Sequence, residues 1–386
     1  MKIGIVGLGM AGLPLACVVA DKGHNVVGID IDKKRCNKIN EGINPIKEEP
    51  ELSNLIKKHA KKNLFATSDY NDAKECTFYI VIVPLFIDEN HSPDFSYLKK
   101  AFRNIGKILS KNDCVVLETT VPPGTTETKV KTWLEQSSGL LLGDFFLAYS
   151  PERIMTGYSV SRLRDFPKIL GGVNKTSGKK AYDVYKTFIG KLSLVSSARV
   201  AEFTKVIEGC YRNTNIALAN EFFKIADELN IDFYEARNQA NHTFCNIHMP
   251  STGVGGHCIP VYPWFLINEM KKRDREDKAI LMKTSTSVND DMIEYWSDKI
   301  VEKSKLLDKP LESVKICVSG ISFRKGVKSL YYSRNLELIK NLYEKGLDVY
   351  AFDPLVSKDE IEKLYLRFIQ PDEADVVFDS FNLEIK

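Results

Sequence analysis

The sequence predicts an α/β protein: two doubly wound α/β domains joined by a helical middle that holds one long spine helix. Three observations predict it. Short apolar runs alternate with amphipathic, lysine-rich stretches through the first half of the chain. Past about residue 196 that alternation gives way to a long run at helical spacing. From Val314 the strand–helix rhythm returns. The expected domains span 1–197, 198–300 and 301–386.

Strands are expected at Lys2–Val6, Asn25–Asp30, Phe78–Val83, Cys114–Glu118 and Phe145–Tyr149. Each is short, rich in Val, Ile and aromatics, and separated from the next by a helix-length segment, as in a doubly wound parallel sheet. Ala201–Leu229 contains no Pro and one Gly, Gly209, and sets Phe203, Val206, Ile207, Cys210, Phe222 and Phe223 at helical spacing. A helix of that length reads as a spine between domains and as a homodimer contact, since a long apolar face needs a partner surface. Further on, Lys315–Ser319 reads as a strand, Leu336–Lys345 as a helix stopped by Gly346, and Asp348–Phe352 as the next strand. No solenoid repeat and no low-complexity tract interrupts the pattern.

Composition narrows the function. The 386 residues are 44% hydrophobic and 27% charged, an ordinary globular balance. Lys and Arg number 54 against 51 acids, so the net charge is +3. That excludes a bulk electrostatic case for nucleic acid or membrane surfaces and leaves room for a local basic pocket. Eight cysteines lie scattered with no CxxC pair, which reads as reduced, cytoplasmic thiols. Ile3–Ala20 carries no charge and superficially resembles a signal peptide or a span, but Gly4, Gly7, Gly9, Gly12 and Pro14 make it a poor helix. The apolar run Phe78–Ile87 is short and contains Pro84, which suits a buried strand.

Gly7-Leu8-Gly9-Met10-Ala11-Gly12 follows the first strand and opens a helix. Glycines there allow a tight turn, close approach of backbone to a pyrophosphate, and close helix–sheet packing, while the helix N-terminus offers unpaired N–H groups. Asp30 ends the second strand, where an acid bonds both ribose hydroxyls and repels a 2′-phosphate. The pattern is a Rossmann-like dinucleotide site that favours NAD over NADP. Arg35, over the adenine or ribose side, keeps some NADP tolerance open.

Gly253-Val254-Gly255-Gly256-His257-Cys258-Ile259-Pro260 is the second informative segment. A thiol is a useful nucleophile only as thiolate, and this glycine run leaves few side chains to bury Cys258. The other seven cysteines read as small buried hydrophobes. A zinc site competes, because His242, Cys245, His248, His257 and Cys258 crowd one stretch, yet no second CxxC or HxxxH closes the set. The reading taken is no metal.

These motifs, in order, resemble the UDP-glucose/GDP-mannose dehydrogenase family along essentially the whole chain. The matching stretches are GIVGLGMAGLPLA (4–16), ETTVPPGTTE (118–127), YSPER (149–153), AEFTKVIEGCYRNTNIALANE (201–221), GVGGHCIPVYPWF (253–265), VSGISFRKGV (318–327) and YAFDP (350–354). Within the family, the RNTNIALANE stretch and the GVGGHC–PWF loop look most like the branch acting on UDP-N-acetylhexosamines, notably UDP-N-acetylmannosamine. UDP-glucose is the alternative substrate.

The resemblance implies NAD-dependent oxidation of C6 of a UDP-sugar from alcohol to carboxylate, in two hydride transfers through a thiohemiacetal and a thioester on Cys258. It implies Lys205 as the oxyanion's positive charge, Glu152 as general base for hydrolysis and Thr120 as the hydroxyl that positions water. It adds Met10, Ala11, Pro84 and Thr120 to the NAD site. It assigns the substrate to Glu152, Arg153, Lys205, Arg212, Gly255, Gly256, Phe323 and Arg324. The first domain then binds NAD, the middle carries Lys205, Cys258 and the dimer contact, and the last binds the UDP-sugar.

Three positions depart from the family pattern. Gly209 stands where Asn is usual, Tyr262 where Asp is usual, and Ser329-Leu330-Tyr331-Tyr332 where an acid-acid-x-Arg segment is usual. Glu208 and Tyr262 could substitute in part, and Arg324, Lys325 or Arg334 could meet the pyrophosphate instead. Two other readings stay open: a single-step hydroxyacid dehydrogenase with Lys205 as acid/base, and a catalytically reduced nucleotide-sugar binder.

Overall fold

The structure is a computed structural model that describes residues 1–155 and 157–386. The chain divides into two compact units, Met1–Val206 and Ile207–Lys386. In the first, the strands are β1 (Lys2–Val6), β2 (Asn25–Ile29), β3 (Leu64–Thr67), β4 (Phe78–Val81), the short pair β5 (Phe86–Ile87) and β6 (Pro93–Asp94), β7 (Cys114–Leu117), β8 (Phe146–Tyr149), β9 (Lys168–Gly172) and β10 (Leu192–Leu194). Among the described residues, eight of them form one sheet in the order β10-β9-β8-β7-β4-β1-β2-β3. From β8 to β3 every pairing is parallel. The winding reverses between β1 and β4.

Alternation along the strands explains the layers. Phe78, Ile80, Cys114 and Val116 belong to one apolar cluster, and Tyr79, Val81, Val115 and Leu117 to another. Both faces are therefore buried, which requires helices on each side. The uncharged run Ile3–Ala20 resolves into β1, the glycine turn and the helix Gly12–Asp21, of which only Asp21 escapes burial. Among the described residues no helix is long and apolar enough to cross a membrane.

The five expected strands pair in parallel, as the sequence predicts. The sheet is not parallel throughout, because β9 runs antiparallel to β8, pairing Ala148 with Gly172 and Tyr149 with Gly171, and β10 follows β9. β9 ends on two glycines because the backbone presses on it there: a Cβ on Gly171 would stand 2.1 Å from the Ser197 oxygen. That close approach removes the period-two side-chain pattern by which a strand is recognised in sequence.

The long helix is Ala198–Glu228, three residues earlier at its start than expected. In the second unit, helices Phe233–Ala240, Tyr262–Lys271, Ile280–Asp290 and Met292–Lys305 precede a small sheet. Its strands are β11 (Lys315–Ser319), β12 (Asp348–Phe352), β13 (Val376–Asp379) and β14 (Glu384–Ile385), in the order β12-β11-β13-β14. The first three are parallel and β14 is antiparallel. Trp296 and Ile300 share a core with Ile316, Val318, Val349 and Phe378, so the helix Met292–Lys305 packs with the sheet that follows it. The helix Arg334–Glu344 stops before Gly346, which is left-handed at φ 78°.

Candidate active site

In the first unit the candidate residues follow the carboxyl ends of parallel strands: Gly7–Gly12 after β1, Asp30 after β2, Pro84 after β4, Thr120 after β7 and Glu152 after β8. Ligands of doubly wound sheets bind at that edge, beside the reversal. Gly7 has φ 94°, and a Cβ on Gly12 would sit 1.8 Å from the Gly7 oxygen, so both are dictated by the turn. Gly9 differs: a Cβ there would meet nothing within 4 Å. Its backbone faces open space, as a phosphate-binding glycine must. Met10 is exposed, Ala11 half-buried, and the helix has no side-chain cap at its N-terminus.

Asp30 is buried and fixed from three sides. Its Oδ2 accepts the N–H of Leu8 at 2.7 Å and Arg35 Nη1 at 3.1 Å, and its Oδ1 accepts the N–H of Asp32 at 2.9 Å. A carboxylate offers about four acceptor positions, so capacity is left for a ribose hydroxyl. The glycine turn and this acid fit NAD. Arg35 is drawn onto Asp30 as its ion-pair partner. Beyond β7, the Thr119 hydroxyl donates to the Val83 oxygen at 2.6 Å, tying the neighbour of half-buried Thr120 to the loop of Pro84.

Half-buried Glu152 is oriented by two donors. Its Oε1 accepts the N–H of Arg153 at 2.6 Å and its Oε2 accepts Lys168 Nζ at 3.2 Å. Lys168 is buried and also bonds Glu118 Oε2 at 3.0 Å, while the other Glu118 oxygen accepts the Tyr185 hydroxyl. Burial pushes Glu118 up to about 7, against the pull of Lys168 and with the help of Glu152. Burial also disfavours the charge on Lys168, but the two carboxylates outweigh it and hold its pKa above the ordinary lysine value. The Arg153 guanidinium donates to the Pro167 oxygen at 2.9 Å. Lys205 is half-buried on the long helix. One residue of that helix escaped the sequence reading: buried Glu202 accepts the N–H groups of Gly124 and Thr126, at 2.5 and 2.8 Å, and so clamps the PPGTTE loop.

In the second unit Cys258 is exposed. Burial raises the thiols of Cys17, Cys210 and Cys317 to about 12, so these are inert at neutral pH. The Cys258 carbonyl accepts the N–H groups of Val261 and Tyr262, both at 3.1 Å, opening the next helix. Upstream, the loop hangs on buried asparagines of the RNTNIALANE stretch. Asn220 Oδ1 accepts the N–H of Ser251 at 2.8 Å, Asn220 donates to Asn289 Oδ1 at 2.9 Å, and Asn289 donates to Asn213 Oδ1 at 3.0 Å.

The structure brings Gly255, Gly256 and Phe323 together. A Cβ on Gly255 would lie 3.1 Å from Phe323 Cβ, and one on Gly256, at φ 88°, 2.9 Å from the ring. The Arg324 guanidinium lies over that ring, 5.9 Å from its centroid. Arg212 is exposed on the long helix. Burial, and after it the charges of Arg212 and Arg237, lower the pKa of His248. The segment that replaces the acid-acid-x-Arg motif braces the cysteine loop: the Tyr331 oxygen accepts the N–H of Gly256 at 3.1 Å, and its ring packs on His257 with centroids 4.0 Å apart. Arg334 is paired with Asp290 at 3.0 Å and Glu337 at 2.6 Å. His242 and Cys245 exchange backbone hydrogen bonds across a tight turn, and among the described residues no three His, Cys, Asp or Glu side chains are grouped to hold a metal.

Gly209 and Tyr262 turn out to be one departure. A Cβ on Gly209 would stand 2.2 Å from Tyr262 Cδ2, and the buried Tyr262 ring stacks on Phe265. The tyrosine occupies the space that a side chain at 209 would need. Gly209→Ala should therefore destabilise by about 1–3 kcal/mol from overpacking, although alanine gains roughly 1 kcal/mol in helix propensity. Urea melts should show the loss, and adding Tyr262→Ala should remove the clash. Alkylation with iodoacetamide at neutral pH, read by mass spectrometry, should label Cys258 first and the buried thiols only on unfolding.

Known proteins bear on this arrangement. The NAD binding domain of the UDP-glucose/GDP-mannose dehydrogenase family matches residues 1–189, and the family's central domain matches 199–291. A UDP-N-acetyl-D-mannosamine dehydrogenase of Pyrococcus horikoshii is 34% identical over 372 residues, covering 94% of this chain and 86% of that protein. An NDP-N-acetyl-D-galactosaminuronic acid dehydrogenase of Ralstonia nicotianae is 33% identical, covering 89% of this chain and 81% of that protein. The solved structure of UDP-D-ManNAc dehydrogenase from Pyrococcus horikoshii matches with a TM-score of 0.89 at 32% identity, over 99% of this chain and 89% of that one. The chain belongs to the UDP-glucose/GDP-mannose dehydrogenase family, which are NAD-dependent nucleotide-sugar dehydrogenases.

Proposed function

We propose that this enzyme oxidises C6 of UDP-N-acetyl-D-mannosamine to the uronate, with Cys258 as the covalent nucleophile. The observation that carries the chemistry is Cys258 itself, an exposed thiol on a braced loop in a chain whose other thiols are buried or half-buried. The similarity to UDP-N-acetyl-D-mannosamine dehydrogenases supports the substrate. NAD, when bound, would supply the hydride acceptor for C6, one molecule for the alcohol and a fresh one for the aldehyde level. Gly7, Gly9, Met10, Ala11, Gly12, Asp30, Arg35, Pro84 and Thr120 hold it.

The chain's own residues do the rest. The Cys258 thiolate adds to the aldehyde carbon and gives a thiohemiacetal, whose oxidation leaves a thioester. Lys205 places positive charge at the developing oxyanion, a contribution on the order of a few kcal/mol in a dry site. Thr120 positions water. Glu152 takes a proton from that water as the oxygen bonds to the acyl carbon, and the sulfur leaves as thiolate with the C–S bonding pair. Arg153, Arg212, Gly255, Gly256, Phe323 and Arg324, with Glu152 and Lys205, bind the UDP-sugar. In this reading 1–197 serves NAD, 198–300 carries Lys205 and Cys258, and 301–386 serves the UDP-sugar.

A homodimer completes the proposal. Ile207, Tyr211, Leu218, Phe222, Ile225 and Leu229 recur at helical spacing along the long helix and its end, and all are exposed in the single chain. Eight thiols without a disulfide suit the cytoplasm.

A panel of UDP-sugars followed by NADH absorbance tests the activity. UDP-N-acetylmannosamine should turn over with two NADH per uronate, and Cys258→Ala should form no uronate. Silence across the panel would overturn the substrate class, and tight calorimetric binding without turnover would favour a non-catalytic binder. Light scattering at micromolar concentration should give twice the chain mass, and Phe222→Glu with Ile225→Glu should shift it toward the monomer.

A further inference from the structure

Lys168 is buried, charged and given no part in the reaction above. Its Nζ lies 3.2 Å from Glu152 Oε2, 3.0 Å from Glu118 Oε2 and 3.2 Å from the Pro151 carbonyl oxygen. An ammonium has three N–H donors, so these acceptors use it fully. The antiparallel course of β9 makes the contact. Pairing Ala148 with Gly172 and Tyr149 with Gly171 continues to set residue 168 level with residue 152. A parallel strand would have carried its first residue to the opposite edge of the sheet.

We propose that Lys168 is a positioning residue that holds the Glu152 carboxylate oriented for the hydrolytic step, with Glu118 as the counter-charge that keeps the ammonium buried. The proposal rests on the reading of Glu152 as general base. In that step a water O–H bond breaks toward Glu152, a C–O bond forms at the acyl carbon, and the C–S pair leaves on Cys258. A carboxylate that must take this proton gains from a fixed donor at one oxygen, because the contact sets which way the carboxylate faces. The neighbouring elements supply the remaining charges. Arg153 and Arg162 line the small cavity that Glu152 and Lys168 share with Phe166 and Pro167. Tyr185 bonds the far oxygen of Glu118 from the helix Lys175–Tyr185, and Cys114 of β7 lies near that phenol. Both carboxylates together hold Lys168 protonated against its burial.

Rapid-mixing measurements of NADH with UDP-N-acetylmannosamine and NAD test this. Glu152→Gln and Lys168→Met should each release about two NADH per site in a burst, then turn over slowly as thioester accumulates. For Lys168→Met the expected loss in kcat is about 10²-fold, the effect of a misplaced reacting group, with the NADH burst kept. Lys168→Arg should recover most of the rate. Lys168→Met also strands buried Glu118 beside half-buried Glu152, so the double variant Lys168→Met with Glu118→Gln keeps the test sound, with thermal melting to verify its fold. A folded double variant that still hydrolyses slowly supports positioning. Wild-type kcat in that variant, with no accumulating thioester, would mean a purely structural pair and overturn the proposal. Slow Glu152→Gln beside fast Lys168 variants overturns the role of Lys168 alone, whereas a Glu152→Gln enzyme with no burst and normal turnover removes the general base and Lys168 with it.

Discussion

Buried carboxylates hold the binding edge of the first unit together. An acid withdrawn from water must find donors, since an unpaired buried charge costs several kcal/mol. Here most of the donors belong to the loops that leave the strands, and the rest to a strand or a helix beside them. Asp30 takes its hydrogen bonds from the glycine turn and from Arg35. Glu202 takes its bonds from the PPGTTE loop. Glu118 takes Lys168 and Tyr185. Glu49, buried as well, receives the N–H groups of Gly157 and Ser159. Each loop is thereby fixed through its backbone or by an ion pair.

The second unit solves the same problem with neutral amides. The cysteine loop is hung from Asn220, which is held by Asn289, which is held by Asn213. An amide both donates and accepts, so a chain of them can satisfy itself in the interior without importing charge. That difference suits the chemistry proposed at each place. A fixed negative charge near a thiol would oppose its ionisation, whereas neutral amides brace the loop without that penalty.

What the sequence revealed was what is local along the chain. The glycine turn, Asp30 at a strand end, the spine helix and the Gly-rich run before Cys258 all announce themselves within a few residues. The cooperation of Gly255, Gly256 and Phe323 was reached only through the family resemblance. Lys168 gave no signal, because its partners lie sixteen and fifty residues away and the strand that presents it ends on glycines. The antiparallel turn of β9 was hidden for the same reason. Asn213 and Asn220 sat inside a recognised motif, but their purpose needs Asn289 and Ser251, which no spacing rule connects to them.

The paired change at Gly209 and Tyr262 shows how such distant coupling constrains the chemistry. Read separately, a glycine in place of Asn loses a donor, and a tyrosine in place of Asp loses a charge. Read together, the ring fills the volume that the missing side chain vacates, so the exchange conserves packing and alters polarity. Either half alone costs stability, since a side chain at 209 meets the ring and a smaller residue at 262 leaves a cavity beside Gly209. The region has traded an amide and a carboxylate for an aromatic surface stacked on Phe265. In drier surroundings each remaining charge is worth more. In the proposed reaction Lys205 acts on the oxyanion without an amide one helical turn further along.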